Sequence, residues 1–163
     1  ENNVAHRDLK SDNIIIDDTG KITVIDFGLS KMASKKDNLK SCAGTPMFMA
    51  PEILNFKAKI TKKVDVFSLG LTLIEWFNKS GIEKLPLNGE LWMKVRENEP
   101  SSFIKFPWEN LANLIDKMTY KETDRRLTID EVLNNSYLKR YINQLYHPEN
   151  NKVNLIVNNL YRC

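Results

Sequence analysis

His6-Arg7-Asp8-Leu9-Lys10-Ser11-Asp12-Asn13 is the stretch on which the reading of this chain turns. Arg7, Asp8, Lys10 and Asp12 are charged, Asn13 is a carboxamide, and Ile14-Ile15-Ile16 follows at once. Three β-branched apolar residues in a row predict a short buried strand. A polar loop beside such a strand presents chemistry on a rigid base. In it Asp8 can accept a proton, Lys10 can meet an anionic group, and Asn13 can offer an oxygen to a hard cation. Taken singly, Asp8 also reads as a turn cap and Asn13 as a strand-edge polar residue.

Working outward, residues 13–17 and 21–25 read as two apolar strands joined by Asp17-Asp18-Thr19-Gly20, a β-hairpin. Antiparallel strands bring their outer ends together, so Asn13 and Asp26 are expected at one edge. Residues 28–49 are polar, without periodicity, and read as a long surface loop. Residues 61–78 predict a helix with Thr61 as N-cap. Its apolar side chains, Val64, Val66, Phe67, Leu69, Leu71, Leu73, Ile74, Trp76 and Phe77, run nearly all the way round, which predicts a buried central helix. A loop over 79–88 and a short helix over 90–97 follow. Residues 108–119 form an amphipathic helix with Leu111, Leu114, Ile115 and Met118 on one face. Thr128-Ile129-Asp130-Glu131 is a capping-box signature, and Leu138, Ile142 and Leu145 continue a helical stripe up to His147-Pro148. The last fifteen residues are rich in asparagine and predict a weakly ordered tail.

The 163 residues suffice for one domain with a core; 42% are hydrophobic and 28% charged, as in a globular protein. No apolar run approaches the roughly 18 residues that read as a membrane span, so no membrane association is expected. The net charge of +3 is spread over scattered lysines, small clusters at Lys35-Lys36 and between Lys57 and Lys63 included. No basic helix is interleaved with aromatics, and no nucleic-acid partner is expected. Two cysteines, Cys42 and Cys163, make neither a metal spacing nor a disulfide framework, which points to a reducing compartment. The expected location is the cytoplasm, with the nucleus as the alternative. No signal peptide is expected, and the opening without methionine points to a fragment.

His6, Arg7, Asp8 and Asn13 stand with the spacing H-R-D-x-x-x-x-N, which resembles the catalytic loop of protein kinases. Asp26-Phe27-Gly28 resembles the D-F-G of that family and Ala50-Pro51-Glu52 its A-P-E. The three motifs in order make a specific signal. Lys10 and Gly44-Thr45-Pro46 resemble the serine/threonine branch. The resemblance implies a mainly α fold (α+β): the C-terminal lobe of a kinase domain, helices around a central buried helix with a small β-hairpin at the catalytic loop. It implies ATP and Mg2+ as cofactors and a protein substrate as partner. It casts Asp8 as catalytic base and Lys10 as the balance for phosphoryl charge. Asn13 and Asp26 become the magnesium ligands, Ile15 the floor under the adenine, and Thr45 the bridge between Asp8 and Lys10. It makes His6 and Phe27 structural, pairs Glu52 with Arg126, and has Asp65 accept backbone hydrogen bonds at His6 and Arg7. Arg7 and Lys31 become partners for a phosphate on Ser41; otherwise Ser41 is a polar loop residue. Phe48 stands where the family usually has tyrosine, and Glu122-Thr123 where it prefers Asp-Pro.

The resemblance covers residues 1–142, with 143–163 left as the tail. The family's N-terminal lobe should precede it. The glycines are Gly20, Gly28, Gly44, Gly70, Gly81 and Gly89, no two closer than eight positions, so no G-x-G-x-x-G exists here. The N-terminal lobe is thus an expected missing partner, and the chain alone is expected to be inactive. The alternative is a kinase lobe kept as a non-catalytic binding or scaffold module.

Overall fold

The computed structural model describes residues 4–32, 43–55, 60–80, 85–97 and 99–145, with side chains described through Tyr141. Helix α1 (Lys63–Phe77) runs through the middle. On one face Val64, Phe67, Leu71 and Ile74 pack with Phe48, Met49, Ala50, Ile53, Val95, Leu111 and Ile115. On another, Val66 joins Leu114, Met118 and Val132. Burying a side chain such as Phe67 or Leu71 contributes about 1.5–3 kcal/mol. Two faces in two clusters make α1 the element on which the others are assembled.

Helix α2 spans Glu90–Glu97, α3 Glu109–Met118, α4 Ile129–Leu133 and α5 Ser136–Leu145. The α3 stripe is buried as its spacing predicts, at Leu111, Leu114, Ile115 and Met118. Gly70 sets how closely α1 meets the end of α3: a Cβ there would lie 2.6 Å from Thr119 Cγ2 and 3.2 Å from Met118 Cβ. The capping box at Thr128 and Glu131 is formed in both directions and starts α4.

Strand β1 (Val4–Ala5) pairs antiparallel with β4 (Lys31–Met32), and β2 (Ile14–Ile16) with β3 (Ile22–Val24). The expected hairpin is therefore present, one residue shorter at each strand end. Among the described residues no helix is long and apolar enough to cross a membrane.

Several expectations need correction. Ile15 and Ile16 are 49% and 41% exposed, not core, because a two-stranded ribbon cannot bury both faces of a β-branched run. Thr61 is not the N-cap. That position is Lys62, and the Thr61 hydroxyl accepts the Lys63 N–H at 3.3 Å from one residue further out. α1 is central but not buried all round, since Trp76 near its end is 41% exposed. The span 28–49 is not simply surface loop: β4 lies in it, and Phe48 and Met49 are buried. The stripe after Thr128 is broken into α4 and α5 around Asn134 and Asn135, where Asn135 Oδ1 accepts the Tyr137 N–H at 2.9 Å and opens a new helix. Ser41, Cys42, Lys35, Lys36, Lys57, His147-Pro148 and the tail beyond 145 lie outside the described residues; 143–145 belong to α5.

Candidate active site

The loop between β1 and β2 is held in an uncommon shape. Arg7 has φ 68°, a left-handed conformation that a side chain with a Cβ seldom adopts. Asp65, in the first turn of α1, holds it there. Its carboxylate accepts the His6 N–H at 2.7 Å and the Arg7 N–H at 2.8 Å. Burial pushes the Asp65 pKa upward against those two hydrogen bonds, which pull it down less. A buried carboxylate is thus spent on two amides, and strain in the loop is the result it sustains.

His6 sits inside this turn, buried, with Nε2–H donating to Ile25 O at 2.9 Å and Nδ1 accepting the Asp8 N–H at 3.3 Å. A carbonyl only accepts and an amide N–H only donates, so the two partners define the Nε2–H tautomer. The ring meets Phe27 edge-on at 4.7 Å. His6 therefore ties the 6–13 loop to the end of β3 and to Phe27, with both nitrogens engaged.

Asp8 is the centre of the polar network. The Thr45 amide and hydroxyl both donate to Asp8 Oδ1 at 2.7 Å. Lys10 Nζ donates to Thr45 Oγ1 at 2.8 Å and lies 3.3 Å from Asp8 Oδ2. Asn13 Nδ2 donates to Asp8 O at 2.8 Å and to Oδ2 at 3.2 Å. Oδ1 thus carries two short bonds, and Oδ2 two longer ones. Burial raises the Asp8 pKa, but the Thr45 hydroxyl and amide and the Lys10 ammonium together outweigh it, and the net shift is downward. By linkage, the stability this group contributes is present above the ordinary 3.8 and is lost as pH falls through its lowered folded value. In Thr45→Val, which loses the hydroxyl and keeps the amide, the Asp8 carboxyl is expected to titrate higher than in the wild type, as read by carboxyl 13C NMR.

Gly44 lets Thr45 come this close. It has φ 118°, and a Cβ there would collide with Arg7 O, in the backbone of the loop it packs on.

Asn13 and Asp26 fall at neighbouring ends of the hairpin, where Ile25 N–H donates to Asn13 O at 3.0 Å. Asp26 has φ 60°, and its Oδ1 accepts the Gly28 N–H at 3.2 Å. Asn13 directs its amide hydrogens at Asp8, which leaves the carboxamide oxygen as the group it could offer to a cation. One amide oxygen and one carboxylate suit magnesium, which keeps several waters and completes its shell with phosphates. The donor chemistry at this edge therefore fits that ion.

The other sequence-derived residues lie around this centre. Glu52 and Arg126 form a buried two-pronged pair, with Nη1 2.5 Å from Oε1 and Nη2 2.9 Å from Oε2. Arg7 Nε donates to Leu29 O at 2.7 Å, and Lys31 pairs with Ala5 across the β1–β4 ribbon. Ile15 lies exposed on β2.

Arg96 and Trp92 were missed as parts of this region, to which Glu75 also belongs. Glu75 accepts from the Ser11 hydroxyl at 3.3 Å and the Leu85 N–H at 3.2 Å. Arg96 is 4% exposed and Trp92 Nε1 reaches Pro46 O at 3.3 Å. Periodicity does not foretell a buried arginine. The available signal was the Trp92–Arg96 spacing of four on a helix, which places a guanidinium over an indole.

The sequence also matches known proteins. Residues 1–138 match the family described as protein kinase domain. The chain is 32% identical over 143 residues to Protein kinase kin1 of Schizosaccharomyces pombe, covering 86% of this chain and 16% of that protein. It is 31% identical over 157 residues to CBL-interacting protein kinase 25 of Oryza sativa subsp. japonica, covering 91% and 29%. It is 32% identical over 138 residues to Serine/threonine-protein kinase pakH of Dictyostelium discoideum, covering 83% and 27%. The chain thus spans less than a third of each of these relatives.

Proposed function

This chain belongs to the protein kinase domain family, and from that premise we propose that it supplies the substrate-facing half of a serine/threonine protein kinase. In this reading it transfers the γ-phosphoryl group of ATP to a protein serine or threonine hydroxyl once an N-terminal half completes the nucleotide cleft. The observation that carries the reading is the Asp8 carboxylate, fixed by Thr45, Lys10 and Asn13. Thr45 holds Oδ1 with two 2.7 Å bonds, whereas Oδ2 has only the longer contacts to Lys10 at 3.3 Å and Asn13 at 3.2 Å, so Oδ2 is the oxygen that would receive an incoming hydroxyl. The hydroxyl oxygen bonds to phosphorus, the bond to the bridging oxygen breaks with its electron pair leaving on ADP, and the hydroxyl proton passes to Asp8. A carboxylate held below its ordinary pKa is a weak base, which suits orientation with late proton transfer along a loose phosphoryl-transfer path. Lys10 balances charge on the migrating group. Magnesium, when bound, supplies neutralisation along the phosphates, and Asn13 and Asp26 are the residues that would hold it.

The exposed apolar residues Ile15, Ile16, Ile22, Ile25 and Phe27 support the need for a covering half. Ile15 would lie beneath the adenine. In the same reading, a phosphate on Ser41 would pair with Arg7 and Lys31, the protein would work in the cytoplasm, and the 163-residue chain alone would be inactive. A non-catalytic scaffold would use the same apolar face without nucleotide. The test is transfer of labelled γ-phosphate to a serine/threonine protein substrate by the chain alone and by the chain joined to a kinase N-terminal half. Label on serine or threonine only in the joined form is the expected result. No transfer by the joined form would leave the scaffold reading.

A further inference from the structure

Four consecutive carbonyls follow Thr45 outside any sheet ladder, those of Pro46, Met47, Phe48 and Met49, and each is met by a side chain. Ser68 Oγ donates to Phe48 O at 2.8 Å. Arg96 serves the other three: Nη2 donates to Pro46 O at 3.1 Å and Met47 O at 2.7 Å, and Nε to Met49 O at 3.1 Å. Trp92 Nε1 adds its bond to Pro46 O at 3.3 Å. Arg96 Nη1 turns back to Trp92 O at 3.0 Å, and the guanidinium lies 3.8 Å from the centre of the Trp92 ring.

Arg96 is buried, and among the described residues no carboxylate forms an ion pair with it. Burial lowers its pKa to about 10, which leaves it charged at neutral pH. A buried cation without a counter-ion is costly unless its donors are satisfied. Here carbonyls take its donors in charge-assisted bonds, three in the 46–49 turn and the fourth that of Trp92. α2 also has an apolar anchor of its own in Val95, which is 1% exposed. What Arg96 grips is the turn that carries Thr45: Phe48 N–H donates to Thr45 O at 2.9 Å, and Thr45 holds Asp8.

We propose that Arg96, assisted by Trp92, is a positioning residue for the protein substrate. It fixes the 46–49 turn, so that Thr45 stays on Asp8 and the acceptor hydroxyl meets a rigid surface beside the carboxylate. This rests on the kinase reading above. Protein-substrate binding responds to Arg96, and nucleotide binding does not, because Arg96 touches none of Asn13, Ile15 and Asp26.

The test uses Arg96→Met, Arg96→Lys and Trp92→Phe in the domain joined to its N-terminal half. Peptide KM, ATP KM and kcat are measured beside amide exchange at Phe48 and Met49. Arg96→Met is expected to raise peptide KM ~10-fold or more, in line with the cost of small misplacements. Arg96→Lys falls between it and the wild type, because an ammonium cannot reproduce the fork. Trp92→Phe, which removes one hydrogen bond, raises peptide KM roughly 2–10-fold. ATP KM stays within about twofold in all three, the pattern expected when only substrate positioning is lost, and exchange at Phe48 and Met49 quickens. A purely structural role would lower kcat in proportion to the folded fraction with both KM values unchanged, and that result overturns the proposal. So does unchanged exchange at the two amides. If Arg96→Met does not fold, Trp92→Phe decides alone. Absence of transfer by the wild type would remove the kinase premise and the proposal with it, whereas transfer with an unmoved peptide KM would remove only the proposal.

Discussion

Asp8→Asn in the joined domain lowers kcat for phosphoryl transfer by ~10²–10⁴-fold, the range that a positioned acid–base group contributes. Asparagine is nearly the same size and can still accept the Thr45 amide through its oxygen. It carries no charge for Lys10, and its NH2 faces the Asn13 Nδ2 and the Lys10 ammonium, donor against donors. The substitution therefore removes the oxygen that would receive the hydroxyl and leaves the loop frame intact, because Asp65 holds His6 and Arg7 independently. ATP KM should barely move, since Asn13 and Asp26 remain. Steady-state kinetics with a peptide substrate, beside thermal unfolding of the same variant, checks this. Activity within threefold of the wild type would remove Asp8 from the chemistry.

Glu52→Ala has the largest expected effect on stability, about 3–5 kcal/mol, because it strands a buried guanidinium. That is a large share of the roughly 5–15 kcal/mol a domain possesses. Arg126 uses all five of its donors: Nε on Tyr120 O, Nη1 on Glu52 and Lys63 O, Nη2 on Glu52 and Lys121 O. It also lies 4.8 Å from the centre of the Phe67 ring, on α1. A simple ion pair is often replaceable by two apolar residues at little cost. Here the double variant Glu52→Leu, Arg126→Met should remain destabilised, because three carbonyls lose their donor. Urea unfolding of the single and double variants separates the cases. Full recovery in the double variant would mean that the carbonyl bonds contribute nothing.

The site was more legible than the fold around it. Asp8, Lys10 and Asn13 converge because the 6–13 loop is written in one short motif, and short motifs encode local geometry. Thr45 is 37 residues from Asp8, so only family resemblance, not spacing, linked the two. The amphipathic stripe of α3 and the capping box of α4 were legible because each repeats a local pattern. The exposure of Ile15 and Ile16 was not, because β-branched runs look alike whether or not a layer covers them. The β1–β4 ribbon was missed because two-residue strands carry no periodicity. Arg96 was missed because its partners are backbone carbonyls, which leave no trace in side-chain patterns.

The account depends most on one arrangement: Asn13 and Asp26 must act on the same divalent ion beside Asp8. The direct measurement is paramagnetic broadening by Mn2+ with a non-hydrolysable ATP analogue, followed at the Asn13 side-chain amide and the Asp26 backbone amide of the joined domain. The account predicts that both signals broaden with one saturation curve and that Asp26→Asn weakens the effect at both. Broadening at one and not the other, or at neither while Mn2+ binds elsewhere, would contradict it.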